Sequence, residues 1–269
     1  MKRKICVIGC GWLGFPLAKS LFKKGYRVSG STSSPEKISV LNSSNIQGFL
    51  IQISSEGIIG DIKDCLAECE TLIVNIPPGL RKNPEANYVK QMQFLIPFVE
   101  DSSVKNVLFV SSTSVYDDTE SFPVISEISE TSSVSKTAQQ LLAVEANFQK
   151  NLNFKTTIIR FSGLFGEDRH PAKHLSGRQN IKNPAAPVNL IHLIDCISII
   201  ENIIQHGIWN TTFNASTTPH PSKETYYLSV CKRLNLTLPE FDQSQVSKGK
   251  TIDSTKLAQV LGYEFKIKL

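Results

Sequence analysis

The sequence predicts an α/β fold, a doubly wound parallel sheet with helices on both faces and a small α-rich C-terminal lobe. Three observations predict it. Short apolar, β-branched runs alternate with amphipathic stretches as far as Phe161, the pattern of a buried parallel sheet wrapped by helices. A glycine-rich turn, Gly9-Cys10-Gly11-Trp12-Leu13-Gly14, joins the first run to the first helix. Beyond Phe161 the alternation gives way to a loop-rich segment and then to short helical patterns.

The run ICVIG reads as the first strand. FPLAKSLFKKG reads as a helix with Leu17, Leu21 and Phe22 turned inward and Gly25 as its C-cap. YRVSGS is the second strand and GFLIQI the third. DIKDCLAECE is a short helix whose spacing puts Cys65 and Cys69 on one face, and TLIVNI is the fourth strand. A helix from Asn87 to Glu100 leads to the fifth strand, NVLFVSS. Ala138, Leu141, Leu142 and Ala146 recur at helical spacing between Ser135 and Lys150, ahead of the sixth strand, KTTIIRF. After the loop-rich stretch from Ser162 to Asn189, LIHLIDCISIIENIIQ returns to a helix and TTFNAS to an edge strand. Two helical patterns, Lys223 to Leu234 and Ser254 to Leu261, make up the small lobe.

The chain has 269 residues, 41% apolar and 20% charged, which excludes disordered and fibrous classes. Its formal charge of +5 is spread along the sequence, so nucleic acid is not an expected partner. Six cysteines without CxxC pairs are too sparse for a disulfide framework and read as reduced thiols packed in a cytoplasmic protein. Lys2, Arg3 and Lys4 imitate a secretory n-region, but the apolar run after them stops at Gly9. No run approaches the ~18 apolar residues of a membrane span.

The turn from Gly9 to Gly14 carries the sharpest chemistry. Gly9 permits the tight turn, Gly11 lets the backbone approach a pyrophosphate, and Gly14 lets the helix pack on the strand, with Trp12 and Leu13 at the helix N-terminus facing the anion. This placement predicts dinucleotide binding and a Rossmann-like sheet; the plain alternative is a turn that only closes a βα unit. The second strand ends in Ser31, Thr32 and Ser33 with no carboxylate until Glu36, which favours NADP over NAD, because an acidic group there would repel a 2′-phosphate. Ile76, Pro77 and Pro78 after the fourth strand line the same cleft through their backbone or form only a rigid turn. The fifth strand ends in Ser111, Ser112 and Thr113, at the edge where the nicotinamide would lie.

Together with Lys136 on the next helix, these residues resemble the short-chain dehydrogenase/reductase superfamily, in its extended and atypical branches around nucleotide-sugar epimerases and dehydratases. Arg160-Phe-Ser-Gly163-Leu-Phe-Gly166 resembles that group's R-x-x-G-x-x-G segment, and Val188-Asn-Leu-Ile-His192-Leu-Ile-Asp195 its V-N-x-I-H-x-x-D segment. The resemblance covers nearly all of residues 1–216. It implies a nucleotide-binding domain over residues 1–162, a substrate-lobe loop over 163–187, a return to the first domain over 188–216, and a small substrate lobe over 217–269. It also implies a small-molecule substrate, a polar carbonyl, carbinol or nucleotide sugar, and a homodimer formed through the helices after the fourth and fifth strands.

In the superfamily a Ser or Thr polarises the substrate oxygen, a Tyr transfers the proton, and a Lys four residues later lowers its pKa and holds the ribose. These roles fall on Ser112 and Lys136, but the position four before Lys136 is Ser132, not tyrosine. A serine hydroxyl is far less acidic than a phenol, so Ser132 could not take over the proton transfer without another group's help. Tyr116 is one substitute, with an aromatic wedge as its plainer role. His170 is another, as acid or base, with Arg169 beside it to grip an anion and Thr113 to bind substrate; both loop residues also read as cappers. His170 and His174 lack a third ligand, so no metal is expected. A protein that kept the cleft and lost the chemistry, a dinucleotide-binding sensor or scaffold, is the alternative. A β-hydroxyacid dehydrogenase would need a large helical C-terminal domain that the residues after Ser216 cannot supply.

Overall fold

A computed structural model describes residues 3–80, 83–131 and 134–269. In chain order the elements are β1 (Lys4–Ile8), α1 (Gly14–Lys23), β2 (Arg27–Thr32), α2 (Glu36–Ser43), β3 (Gln47–Leu50), β4 (Gln52–Ser54), β5 (Gly57–Ile59), α3 (Ile62–Leu66), β6 (Cys69–Val74), α4 (Tyr88–Glu100), β7 (Asn106–Ser112), a 3₁₀ turn (Thr113–Val115), β8 (Val124–Ile125) and α5 (Lys136–Gln149). They continue with β9 (Lys155–Phe161), β10 (Gly163–Phe165), α6 (Ala172–Leu175), β11 (Leu190–His192), α7 (Leu193–His206), β12 (Thr212–Ala215), α8 (Lys223–Arg233), β13 (Thr251–Ile252) and α9 (Thr255–Leu261).

Seven strands form one sheet in the order β12-β9-β7-β6-β1-β2-β3. The pairs β1–β2, β1–β6, β2–β3 and β6–β7 are parallel. The order reverses beside β1, the switch point at which sheets of this kind bind ligands. The expected doubly wound α/β sheet is therefore present, with TTFNAS as an edge strand.

Contacts divide the chain into two compact units. The first comprises residues 1–115, 134–159 and 200–212. β1 is buried along its whole length, and Phe109 stacks on Phe148 with centroids 5.4 Å apart. Each such fully buried side chain contributes about 1.5–3 kcal/mol. The second unit comprises residues 116–133, 160–199 and 213–269. Its core joins Phe165, Val188, Leu190, Tyr226, Tyr227 and Val230, with the C-terminal Ile267 and Leu269 packed against it.

The helix ends follow local chemistry. Asn87 caps α4 by accepting from Lys90 N–H, and Ser135 caps α5 by accepting from Ala138 N–H. At the end of α1, Gly25 is left-handed (φ +92°), its N–H donates to Phe22 O and the Tyr26 N–H to Leu21 O, the paired bonds of a Schellman motif.

Four expectations are corrected. LIHLIDCISIIENIIQ is not helical from its start: Leu190–His192 pairs with Gly163–Phe165 as β11, and α7 begins at Leu193. Phe22 is not inward: it is 39% exposed, because Leu17 and Leu21 already fill the buried stripe of α1. GFLIQI is not one strand: Ile51 N–H closes on Thr32 O, and the chain then turns into the antiparallel hairpin β4–β5. Cys65 and Cys69 do not share a helix face, since α3 ends at Leu66, Glu68 turns left-handed (φ +60°), and Cys69 opens β6. Both thiols are buried all the same, and Cys6 Sγ lies 3.4 Å from Cys65 Sγ. Burial pushes the Cys6 thiol well above its usual range.

Candidate functional site

The glycine turn is built from the first unit alone. Gly9 is left-handed (φ +99°), a Cβ there would stand 2.5 Å from Asn75 O, and a Cβ on Gly14 would stand 2.1 Å from Gly9 O. Backbone cannot move aside, so both positions require glycine. Among the described residues, a Cβ on Gly11 would meet nothing within 4 Å. The turn is thus clamped at both ends and open in the middle, the shape a diphosphate needs.

Hydrogen bonds hold it so. Gly9 N–H donates to Ser31 Oγ (3.1 Å), Cys10 N–H to Ser31 O (2.7 Å), and the Asn75 amide to Gly9 O (3.0 Å). Cys10 packs its sulfur over Gly30, where a Cβ would stand 2.6 Å away, and burial pushes its thiol up to about 12. α1 then starts at Gly14 without a side-chain cap, so the positive end of its dipole lies at the turn, where Gly11 N–H donates to Gly9 O (2.8 Å) and Phe15 N–H to Gly11 O (3.0 Å). These residues fit a dinucleotide phosphate.

Ile8, Val74 and Phe109 are register partners, so Gly9, Asn75 and the Ser111–Ser112 pair leave the sheet at one edge. Ser112 is half-buried and its Oγ accepts from Ser114 N–H (3.1 Å). Ser111 is buried and donates to Glu145 Oε1 at 2.5 Å, which ties the end of β7 to α5. Thr113 is buried in the 3₁₀ turn. Tyr88 Oη donates to Ile76 O (2.8 Å) and fixes the segment that carries Pro77 and Pro78, while burial pushes its own phenol up.

The other predicted residues have more local duties. Ser31 is spent on Gly9, and Thr32 Oγ1 accepts from Ser34 N–H, leaving Ser33 exposed at the end of β2. Trp12 is half-buried and Leu13 buried. Lys136 opens α5, its Nζ donating to Pro84 O (2.7 Å) with Glu85 Oε1 at 3.9 Å. Ser132 lies outside the described residues.

In the second unit, Tyr116 is buried. Its Oη accepts from Arg160 Nη1 (2.6 Å) and donates to Asn214 Oδ1 (3.0 Å). Burial raises its pKa, with the guanidinium opposing that shift. Its hydroxyl is therefore engaged by two side chains of its own unit. His170 is buried as well. Nδ1 accepts from Ala172 N–H (3.1 Å), which leaves the proton on Nε2 to meet Tyr226 Oη at 3.2 Å. Burial, then the charges of Arg233, Lys173 and His192, lower its pKa, so it is a neutral capper of α6. Arg169 is exposed, in a turn closed by reciprocal backbone bonds with Gly166. Among the described residues no group of His, Cys, Asp or Glu side chains can hold a metal ion, and no helix is long and apolar enough to cross a membrane.

Sequence reasoning missed Asn75 and Glu145. Asn75 was visible as a polar residue ending an apolar strand, and Glu145 as a carboxylate on the buried face of α5 with Leu141 and Phe148.

Comparison with known proteins agrees with this geometry. Residues 4–124 match the family described as the NAD binding domain of 6-phosphogluconate dehydrogenase. Protein YeeZ of Escherichia coli K12 is 28% identical over 266 residues, 98% of this chain and 96% of that protein. Among solved structures, MoeE5 in complex with UDP-glucose and NAD superposes with a TM-score of 0.79 at 18% identity, covering 99% of this chain and 94% of that one. UDP-N-acetylglucosamine 4-epimerase from Bacillus cereus superposes with a TM-score of 0.79 at 16% identity, covering 99% and 92%. The fold is Rossmann-like, and the match over residues 4–124 supports NAD(P) binding.

Proposed function

We propose that this chain is an NAD(P)-dependent oxidoreductase that transfers hydride at a polar carbonyl or carbinol carbon, with nucleotide-sugar-like molecules as its substrate class. One observation carries the reading: a glycine turn open only at Gly11 lies at the same sheet edge as Ser112, two strands away across β6. The nicotinamide, when bound, supplies or accepts the hydride. The chain's own residues bind the diphosphate through the Gly9–Gly14 backbone, exclude water with the Ile76–Pro78 segment, and orient the substrate oxygen through the Ser112 hydroxyl. The names of similar folds, proteins holding NAD and UDP-sugars, support the substrate class. The exposed Ser33 and the lack of a carboxylate before Glu36 support NADP over NAD.

A second reading is a catalytically silent NAD(P)-binding sensor or scaffold. The engaged Tyr116 hydroxyl and both engaged His170 nitrogens favour it, because neither group is available to move a proton. The two readings separate in one experiment. NADPH and NADH are titrated against Trp12 fluorescence, and reduced-cofactor oxidation is followed over a panel of UDP-sugars, aldehydes and ketones for the native protein and Ser112→Ala. Binding with turnover lost in Ser112→Ala upholds the enzyme. Binding without turnover on any substrate upholds the silent protein, and no binding of either dinucleotide defeats both.

A further inference from the structure

A second concave site lies in the first unit at the sheet edge opposite the glycine turn. It is a cavity of about 830 Å³, within the ~300–1,000 Å³ range of ligand pockets. Four pieces of chain build it: the start of β7 (Lys105, Asn106), the end of α5 with the loop after it, the start of β9 (Lys155), and the turn that carries Trp209. β7 and β9 run from this edge towards their carboxyl ends, so the cavity shares no residue with the nucleotide site.

Its chemistry is one-sided. Lys105 and Lys155 line it, and among the described residues no carboxylate does. Some of the amides already have structural work: Asn210 Oδ1 accepts from Thr156 N–H, Gln149 Nε2 donates to Thr212 Oγ1, and Asn151 spans Glu100 and the Asn153 N–H. These bonds fix the walls. The other lining residues that carry donor groups are Lys105 and Lys155, with their amines, Asn106 and Asn153, with their side-chain amides, and Trp209, with its indole N–H. Five donor groups around one concavity, two of them cationic, suit a ligand rich in acceptor oxygens that carries negative charge. The half-buried Trp209 ring adds a flat apolar surface of the kind against which the C–H face of a sugar packs.

We propose that this cavity binds a phosphorylated sugar, the phosphate held between Lys105 and Lys155 and the sugar ring against Trp209. The site stands whether or not the chain transfers hydride, because its residues and its readout are separate from those of the glycine turn.

The test uses the full-length protein and glucose 6-phosphate as probe, with glucose and inorganic phosphate as separate arms, followed by titration calorimetry. Fluorescence of Trp209 is read in a Trp12→Phe background, since these are the chain's two tryptophans. Saturable heat and a Trp209 signal with glucose 6-phosphate are expected, weakened roughly tenfold or more in Lys105→Gln/Lys155→Gln and weakened again by added salt. A thermal-melting control shows that the double variant is folded; both lysine chains are exposed, and each can be tested singly if the pair is not. No saturable binding up to about 10 mM, a decade above a millimolar dissociation constant, overturns the proposal. So does equal affinity in the folded lysine variants, or equal affinity for inorganic phosphate alone, which would remove the sugar from the ligand.

Discussion

Gly11 and Gly14 stand three residues apart in one turn, yet a side chain should do opposite things at the two positions. At Gly14 a Cβ would lie 2.1 Å from Gly9 O and 3.0 Å from the Asn75 amide nitrogen. The clash is with backbone, so Gly14→Ala must displace α1 from β1, an overpacking cost of about 1–3 kcal/mol. For a chain of this size that lowers Tm by roughly 2–10 °C. At Gly11 a Cβ meets nothing among the described residues. Gly11→Val should therefore change stability by no more than about 0.5 kcal/mol while its branched carbons fill the space reserved for the diphosphate, weakening NAD(P) binding by about tenfold or more. Differential scanning fluorimetry without ligand, paired with Trp12 fluorescence titration of NADPH, measures both effects. If Gly11→Val keeps native affinity, the dinucleotide does not cross this turn; if Gly14→Ala melts with the native protein, the turn is not clamped as described.

Tyr116→Phe removes the hydroxyl between Arg160 and Asn214 and should cost about 1–3 kcal/mol in denaturant unfolding while leaving turnover intact where the protein folds; a large fall in turnover at unchanged stability would make Tyr116 the proton donor. Asp195 is fully buried and accepts from Tyr263 Oη (2.6 Å), Lys266 N–H (2.8 Å) and Ile267 N–H (3.2 Å), so Asp195→Ala should cost roughly 3 kcal/mol and speed proteolysis of the C-terminal segment. Burial lowers the pKa of both His170 and His220 below the usual value of about 6.5. The unfolded chain then binds these protons at higher pH than the folded one. Stability is fully present above about pH 6.5 and falls as pH drops through the folded pKa values, and His170→Gln should flatten that slope in urea titrations.

Much of the fold was legible because its signals are local. KTTIIRF and NVLFVSS are strands with the boundaries their composition marks, and the hydroxyl of Ser135 and the amide of Asn87 start the helices they were read to start. The misreadings are places where distant contacts decide. GFLIQI breaks at Ile51 because Thr32 O captures its N–H, and DIKDCLAECE stops at Leu66 because the chain must enter β6 beside β1. Glycine spacing foretold the turn, but not that Ser31 would be spent on Gly9 N–H rather than left for a phosphate, since that bond joins residues 22 apart.

The motifs of the second unit show why resemblance reaches fold before chemistry. Arg160 grips the Tyr116 hydroxyl. Asn189 donates to Lys250 O and accepts from Ile252 N–H, which holds β13. His192 Nδ1 accepts from Ile194 N–H at the start of α7, and Asp195 fastens residues 263–267. Arg160, Asn189, His192 and Asp195 thus satisfy backbone or buried groups of their own unit, while the buried Ser162 Oγ of the first segment finds no partner among the described residues; pairing buried polar groups is a demand that any chain with this topology faces and that would preserve the four with or without catalysis. The case for hydride transfer therefore cannot draw on them. It rests on the first unit, where Gly11 leaves backbone open to a ligand and Ser112, half-buried at the same sheet edge, is the hydroxyl whose removal distinguishes an enzyme from a binding protein.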